Sequence, residues 1–162
     1  MEKYILFSNN NQNFALDITK IDRIIEFQQP KKLPESSEFL LGVIQFNDRI
    51  LPIIDLTKRL YNLDSSYNEN VKVIVVLWRD KQIGLVVDFI LGIHSFDEAQ
   101  FEQSNNDIQI SKEYVIGFIK SKDDIIIVLE INKLFNLEQE NELILSASNQ
   151  SIEKSPNIGE KR

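Results

Sequence analysis

The chain has 162 residues, which fits one domain or two small domains that share a core. Hydrophobic residues make up 43% and charged residues 27%, a composition typical of folded globular proteins and not of disordered chains. The absence of cysteine excludes disulfides and thiolate zinc sites, and it fits a reducing compartment. A net charge of −7 has the wrong sign for a protein that binds nucleic acid through its phosphate backbone.

No segment of the sequence has the pattern of a membrane span. The longest apolar stretch, residues 83–93, is too short, since crossing the hydrocarbon core takes about 20 residues. The apolar run at residues 4–7 lacks the length and the cleavage site of a signal peptide. We therefore expect a cytoplasmic protein without direct membrane insertion.

Four pairs of β-prone runs, each pair separated by turn residues, predict four hairpins. These runs are residues 4–7 with 14–18, 42–46 with 49–54, 71–78 with 82–87, and 114–120 with 125–130. Asn47 and Asp48, which join the second pair, tolerate the positive φ of a tight turn. Two further strands are plausible at residues 23–28 and 89–96. Short helical patterns follow Asp17, Asp55 and Glu130.

An internal repeat is the most informative feature of the chain. Residues 42–60 align without a gap on 117–135 at a shift of 75, and residues 14–18 align on 83–87 at a shift near 70. Any two hairpins share some pattern. Here, however, Gly42 meets Gly117, and Asp55 meets Glu130 just before the same helical pattern. The repeat predicts two related β subdomains, and strand-rich halves of this size close into small barrels.

Catalytic constellations are missing from the sequence. His94 is the only histidine and lies in an apolar strand pattern, which favours a structural role. One histidine and no cysteine remove the common nucleophile systems and most zinc sites. Acidic residues follow strands or sit in turns, where they are expected to cap helices or solvate loops. These residues are Asp17, Asp55, Asp88 and Glu130, and the pairs Asp97-Glu98 and Asp123-Asp124.

A binding module is thus the leading class, since edge strands and hairpin tips recruit partners well. A barrel for an apolar ligand is the next candidate. It would need a wide interior, whereas the predicted inward positions are isoleucine, leucine, valine and phenylalanine, which fill small barrels.

The C-terminal end differs in composition from the rest. Residues 138–147 could form a short helix that packs Leu143 and Leu145 on the core. From residue 146 onward the chain is polar and has no apolar period, which predicts a disordered tail at residues 146–162. The folded domain is accordingly predicted to span residues 1–145.

Four segments in sequence resemble the CheW family of bacterial chemotaxis coupling proteins. They read YILFSNNNQNFALDITKIDRIIEF, FLLGVIQFNDRILPIIDLTKRL, IGLVVD and YVIGFIKSKDDIIIVLEINKLF, and the resemblance runs from about residue 4 to residue 137. It implies a mainly β fold in which two five-stranded β-barrel subdomains surround a shared core, with a few short helices. These subdomains would lie at roughly residues 14–65 and 71–137, with strands exchanged.

The resemblance also implies a function. Members of this family are non-enzymatic adaptors that connect the cytoplasmic tips of methyl-accepting chemoreceptors to the regulatory domain of the histidine kinase CheA, which shares the fold. We therefore expect a cytoplasmic protein recruited to membrane-associated receptor arrays, a monomer in isolation, that needs no cofactor and no metal.

Two groups of residues are candidates for protein binding by this resemblance. The receptor face is Ile21, Arg23 and Ile24, and the first-barrel hairpin is Gln45, Phe46, Asn47, Asp48 and Arg49.

Both groups depart from the family pattern. Family members commonly read N-L-R-G at the hairpin, so that the family's arginine falls on Asn47 and its glycine on Asp48. Arg49 is expected to compensate in part. Arg23 stands where relatives often carry an acid, which predicts a partner of opposite local charge or a repurposed adaptor.

Two other functions stay open. One is a CheW-like adaptor of a non-flagellar chemosensory or twitching-motility pathway. The other, from a different class, is a sensor barrel that binds a small molecule and has no kinase partner.

Overall fold

The computed structural model describes residues 2–103 and 112–153 of the chain. The strands in this part are β1 Glu2–Asn9, β2 Gln12–Asp17, β3 Ile21–Glu26, β4 Leu40–Phe46, β5 Arg49–Asp55, β6 Lys72–Trp78, β7 Lys81–Val87, β8 Phe89–Phe96, β9 Phe101–Gln103, β10 Val115–Ser121 and β11 Asp124–Leu129. The α-helices are α1 Leu56–Tyr61 and α2 Leu137–Glu153, and short 3-10 helices lie at Ile18–Lys20, Glu98–Gln100 and Ile131–Lys133.

The strands form two sheets. One has the order β3-β6-β7-β5-β4 and the other the order β8-β1-β2-β11-β10-β9. Neighbouring strands are antiparallel except for the pairs β5–β7 and β11–β2, which are parallel. The predicted mainly β fold with two β subdomains and few short helices is confirmed.

The division of the chain between the sheets involves an exchange of strands between the two halves. Strands β3 to β7, within residues 21–87, form the five-stranded sheet, whereas β1 and β2 pair with strands from the second half. The second sheet has six strands and not five, because β9, which the sequence did not predict, pairs with β10. With only three residues, β9 is too short to show a periodic pattern.

A shared apolar core holds the two sheets together. It takes buried side chains from both sheets, from the 3-10 helix Ile131–Lys133 and from α2. Trp78 and Phe7 are its largest fully buried side chains. This confirms the expectation of a common core between the two halves.

Each sheet also curls around an apolar cluster of its own. Ile25 of β3 and Ile44 of β4 belong to one cluster, although their strands lie at opposite edges of the five-stranded sheet. Phe96 of β8 and Phe101 of β9 do the same in the six-stranded sheet. A flat sheet could not bring its two edges to one cluster, so both sheets are curved like small barrels.

The sequence repeat corresponds to a structural repeat. Gly42 and Gly117 each lie at a register shift of the first strand in a hairpin. A Cβ atom on Gly42, where φ is 144°, would collide with the carbonyl of Lys31, and one on Gly117 would lie 2.6 Å from the carbonyl oxygen of Glu102. Glycine is required at both positions because the backbone of a third segment, paired alongside the hairpin, lies very close there.

The C-terminal prediction was wrong in part. Helix α2 begins after Asn136, whose side chain and that of Gln139 accept each other's backbone N–H at 2.8 Å, and it continues to Glu153. Residues 146–153 are therefore helical, and the remainder of the predicted tail, 154–162, lies outside the described residues. Leu143 is buried as expected, but Leu145 is 70% exposed.

Candidate protein-binding site

Strand β3 carries the first predicted group at one edge of the five-stranded sheet. A register shift at Asp22 puts Ile21 and Ile24 on the face of the shared core, since Ile24 lies opposite Ile74. Arg23 lies opposite Val75 and so takes the other face, towards the cluster inside the curled sheet. The three residues predicted as one receptor face thus divide between two faces of the sheet.

The exposure of these residues differs. Ile24 is 39% exposed, a large apolar side chain at a free edge, whereas Ile21 is half-buried against the shared core. The guanidinium of Arg23 is exposed and lies 3.3 Å from the Asp22 carboxylate. Gln82 on β7 also donates to that carboxylate, at 3.0 Å, and this holds Asp22 and orients Arg23.

The second predicted group forms the tip of the β4–β5 hairpin. Asn47 and Asp48 have φ values of 51° and 64°, as the sequence predicted for a two-residue turn. Phe46 and Arg49 pair directly across the turn, so their side chains share a face of the hairpin. Phe46 is half-buried against the apolar cluster, whereas Gln45, Asn47, Asp48 and Arg49 are exposed.

The structure brings the two groups together at one point. Because the sheet curls, the guanidinium carbon of Arg23 lies 5.4 Å from the centroid of the Phe46 ring. Arg23 therefore belongs spatially with the hairpin tip, not with Ile24. We call the exposed surface formed by Arg23, Phe46 and Arg49 the guanidinium edge.

Strand β8 offers a surface that the sequence did not single out. It occupies the same edge position in its sheet as β3 does in the other sheet. Ile93 of β8 lies opposite Ile5, just as Ile24 of β3, which is 69 positions earlier in the chain, lies opposite Ile74. Phe89, Leu91 and Ile93 are each more than 40% exposed on this edge strand. Three large apolar residues at alternate positions of one strand were the sequence signal from which this surface could have been predicted.

Asp55, one of the acidic residues that follow strands, has the structural role expected of it. Asp55 is buried and caps α1, accepting from the backbone N–H of Lys58 at 3.1 Å. Its carboxylate also accepts hydrogen bonds from Ser65 and Tyr67, at 2.7 Å each. Burial, and after it the hydrogen bond to Asp55, raises the pKa of Tyr67, which keeps its hydroxyl a donor.

His94 and the acidic residues do not form a metal site in residues 2–103 and 112–153. His94 is exposed and stacks on Phe96 at 6.2 Å between ring centroids. Within those residues no cluster of three or more potential ligands could hold a metal ion. None of the described helices is long and apolar enough to cross a membrane.

Comparison with known proteins identifies the family. The sequence model of the CheW-like domain family matches residues 3–139, which include both sheets and the start of α2. The chain belongs to the CheW-like family. Both β3 and the β4–β5 tip lie within the matched residues.

Relatives of similar length support this membership. The chain is 26% identical to the chemotaxis protein CheW of Bacillus subtilis, over 93% of this chain and 91% of that protein. It is 30% identical to the chemotaxis protein CheW of Thermotoga maritima, over 79% and 83%. The crystal structure of the scaffolding protein CheW from Thermoanaerobacter tengcongensis matches with a TM-score of 0.77 at 28% identity, covering 85% of this chain and 94% of that one.

Proposed function

We propose that this protein is a non-enzymatic chemotaxis adaptor that couples methyl-accepting chemoreceptors to the histidine kinase CheA. The observation that carries the proposal is the family match over residues 3–139. The relatives named chemotaxis protein CheW, and the solved protein described as a scaffold, match over most of their own length. Location in the cytoplasm at membrane-associated receptor arrays, and a monomeric state in isolation, are parts of the same proposal.

The guanidinium edge is the proposed site of coupling. Arg23 on β3 and Phe46 on the hairpin come from the two groups proposed for partner contact, and they touch through the cation–π contact at 5.4 Å. Arg49 lies on the same face as Phe46. An aromatic ring beside exposed guanidinium groups is a common kind of anchor in protein interfaces.

The two departures from the family pattern become connected in this arrangement. The resemblance places an arginine at the position of Asn47 and often an acid at that of Arg23. Here the hairpin turn has lost its guanidinium, and β3 supplies one to the neighbouring side chain, Phe46. We propose that Arg23, with Arg49, replaces the hairpin arginine in contacting the partner, because the planar guanidinium fork matches carboxylate groups.

Ile24 would add an apolar contact at the free edge of β3. It lies on the opposite face from Arg23, so a single flat partner surface would not cover both residues. We propose that Ile24 and the half-buried Ile21 contact the receptor hairpin, and that the guanidinium edge lies where receptor and kinase contacts meet. An adaptor of this kind acts by holding both partners in register, so that a small receptor motion shifts the kinase between its two states.

The decisive experiment is a calorimetric titration of the protein with the regulatory domain of CheA from its own organism. Saturable one-to-one binding is the expected result. If the two proteins do not bind at high concentration, the kinase contact proposed here is wrong. Titration with a soluble receptor tip, with and without the kinase domain, then measures whether the two partners bind at the same time.

The non-flagellar alternative differs only in its partners. An adaptor of a twitching or surface-motility pathway would bind the CheA-like kinase of that pathway in preference to the kinase of the flagellar pathway. Parallel titrations with both regulatory domains distinguish the two. The small-molecule sensor predicts instead a ligand-dependent shift in melting temperature without any kinase binding.

A further inference from the structure

The interior of the six-stranded sheet is not completely filled. A cavity of about 710 Å³ opens at one end of the curled sheet. Its floor is formed by the buried side chains of Ile119 and Val128, and its walls include the rings of Tyr4, Phe96 and Phe101. A volume of this size is in the range of sites that enclose a small organic molecule.

The two sheets differ in this respect. Seven buried aliphatic residues fill the inside of the five-stranded sheet, with Ile25, Phe27, Leu41 and Phe46 packed against them. Inside the six-stranded sheet the cluster has five buried members, and its three aromatic residues are only partly buried. The sequence predicted filled barrels, whereas the cavity leaves the inside of the six-stranded sheet partly open.

The mouth of the cavity is acidic. Its lining includes the carboxylates of Glu2, Asp17, Asp97 and Glu98, and no lysine, arginine or histidine is among the described residues that line it. In that part of the chain none of the four takes part in an ion pair. Several like charges around an apolar recess concentrate a negative potential there, which attracts a cation.

Hydrogen bonds fix part of this rim. The hydroxyl of Tyr4 donates to the Glu2 carboxylate at 3.1 Å. Burial, and then this hydrogen bond, raises the pKa of Tyr4 to about 12, so the ring remains a neutral donor that holds Glu2 in place. Asp17 accepts from the backbone N–H and the hydroxyl of Thr19 through one oxygen, Oδ1, and its second oxygen is without a described donor.

We propose that this cavity binds a small organic cation, an ammonium or guanidinium group carried on an apolar stem. The carboxylates at the mouth would pair with the charge, and the faces of Tyr4, Phe96 and Phe101 would add cation–π contacts. The stem would displace water from Ile119 and Val128. This site is separate from the guanidinium edge, and the proposal stands independently of the adaptor function.

The test uses hexane-1,6-diamine as the probe and hexane-1,6-diol as its neutral control. Binding is followed by two-dimensional NMR on the isotopically labelled full chain. The expected result is saturable binding of the diamine, with shifts concentrated at the residues that line the cavity, and no saturable binding of the diol. Raising the salt concentration should weaken diamine binding, because the charges at the mouth are exposed to screening.

Matched variants locate the site. Glu98→Gln removes one mouth carboxylate and should weaken diamine binding about fivefold, as expected for one partly exposed ion pair. Glu69→Gln removes the same charge in the segment before β6, away from the cavity, and should leave the affinity unchanged. Ile116→Trp keeps the charge and narrows the cavity from its partly exposed lining position, so it should weaken diamine binding while the protein stays folded.

Four results would overturn the proposal. The first is a diamine titration that shows no saturation, and the second is equal binding of diamine and diol. The third is an equal effect of Glu98→Gln and Glu69→Gln, which would indicate general charge attraction only. The fourth is diamine binding that Ile116→Trp leaves unchanged, which would place the bound diamine outside the cavity.

Discussion

The β4–β5 hairpin and the β10–β11 hairpin have the same frame and different contacts. In the first, the backbone N–H of Asp55 donates to the carbonyl of Phe39 at 2.8 Å. In the second, the N–H of Glu130 donates to the carbonyl of Tyr114 at the same distance. Each acidic residue then caps the helix that follows, α1 or the 3-10 helix Ile131–Lys133.

The side chains around this frame have diverged. Arg23 covers Phe46 at the tip of the first hairpin, whereas at the second hairpin Lys120 pairs with Glu102 at 3.3 Å on the surface. Asp55 also anchors Ser65 and Tyr67 of the following segment. The comparison teaches that a duplicated backbone can keep its hydrogen bonds while the side-chain contacts at the two hairpins diverge.

The largest expected effect is a loss of stability when a glycine of this hairpin frame is substituted. Gly42→Ala should lower the free energy of unfolding by about 4 kcal/mol, because it combines a strained φ with a collision against the backbone at Lys31. Gly117→Ala should cost less, about 2 kcal/mol, because no φ between +20° and +160° is imposed there. Urea denaturation of both variants measures the difference. Equal costs would mean that the strain at Gly42 is relieved by movement of the segment around Lys31.

The next largest effect is expected at the two acidic helix caps, which should contribute differently to stability. Asp55→Ala should lower the free energy of unfolding by about 3 kcal/mol, because it removes a helix cap and leaves the hydroxyls of Ser65 and Tyr67 without their acceptor. Glu130→Ala should cost about 1 kcal/mol, since its carboxylate caps through one bond, from Asn132. Denaturation of the double variant should give the sum of the two effects. A cost for Glu130→Ala as large as that for Asp55→Ala would contradict the assigned difference.

The third comparison concerns binding. Arg23→Ala should weaken binding of the receptor tip about tenfold, as expected for loss of one arginine anchor. Lys120→Ala, on the other hairpin, should leave that affinity unchanged. Arg23→Glu should change receptor binding and its salt dependence more than kinase binding. Equal effects of Arg23→Glu on both partners would argue against its place in the receptor contact.

Arg49 offers a smaller test of the same surface. If it shares the role of the missing hairpin arginine, Arg49→Ala should weaken binding of the receptor or the kinase by more than about 0.5 kcal/mol. Affinities unchanged within that limit would leave Arg23 alone as the replacement. The stability of the variant serves as the control and should hardly change, because exposed charges contribute little.

The smallest effect is expected at alkaline pH. The raised pKa of Tyr67 means that the unfolded chain loses this proton near the ordinary pKa of about 10, while the folded protein still holds it. The contribution of Tyr67 to stability is thus complete below about pH 10 and is lost as the pH rises through the folded-state pKa. Tyr67→Phe should show a shallower loss of stability above pH 10. If urea denaturation shows that stability depends on pH equally in the variant and in the unchanged protein, the hydrogen bond to Asp55 is contradicted.

Much of the fold could be predicted from local sequence. The turn at Asn47 and Asp48, the β8 strand at Phe89–Phe96 and the caps at Asp55 and Glu130 all depend on residues close together in the chain. Hydrophobic alternation and turn chemistry act over a few residues, so they can be recognised from a single sequence. The error at Leu145 arose because a helix with little apolar periodicity does not indicate which side faces the core.

The candidate site was predictable only in its parts. Resemblance pointed to Arg23 and to Phe46, but nothing local places a residue of β3 over a residue of the β4–β5 tip. That contact depends on the curl of the sheet, which forms when many strands pair and pack together. The same holds for the acidic cavity, whose lining comes from distant segments including Tyr4, Phe101 and Val128.

The sequence by itself determined the hairpins, the matched glycines Gly42 and Gly117, and the duplication of one structural unit. Tertiary structure decided which hairpin joins which sheet: β1 and β2 pair with β8 and β11, far away in the chain, and not with β3. The physical reason is that all of these strands are similarly apolar, so local preference does not choose among them. Only simultaneous burial in the shared core and in the two separate clusters selects one pairing.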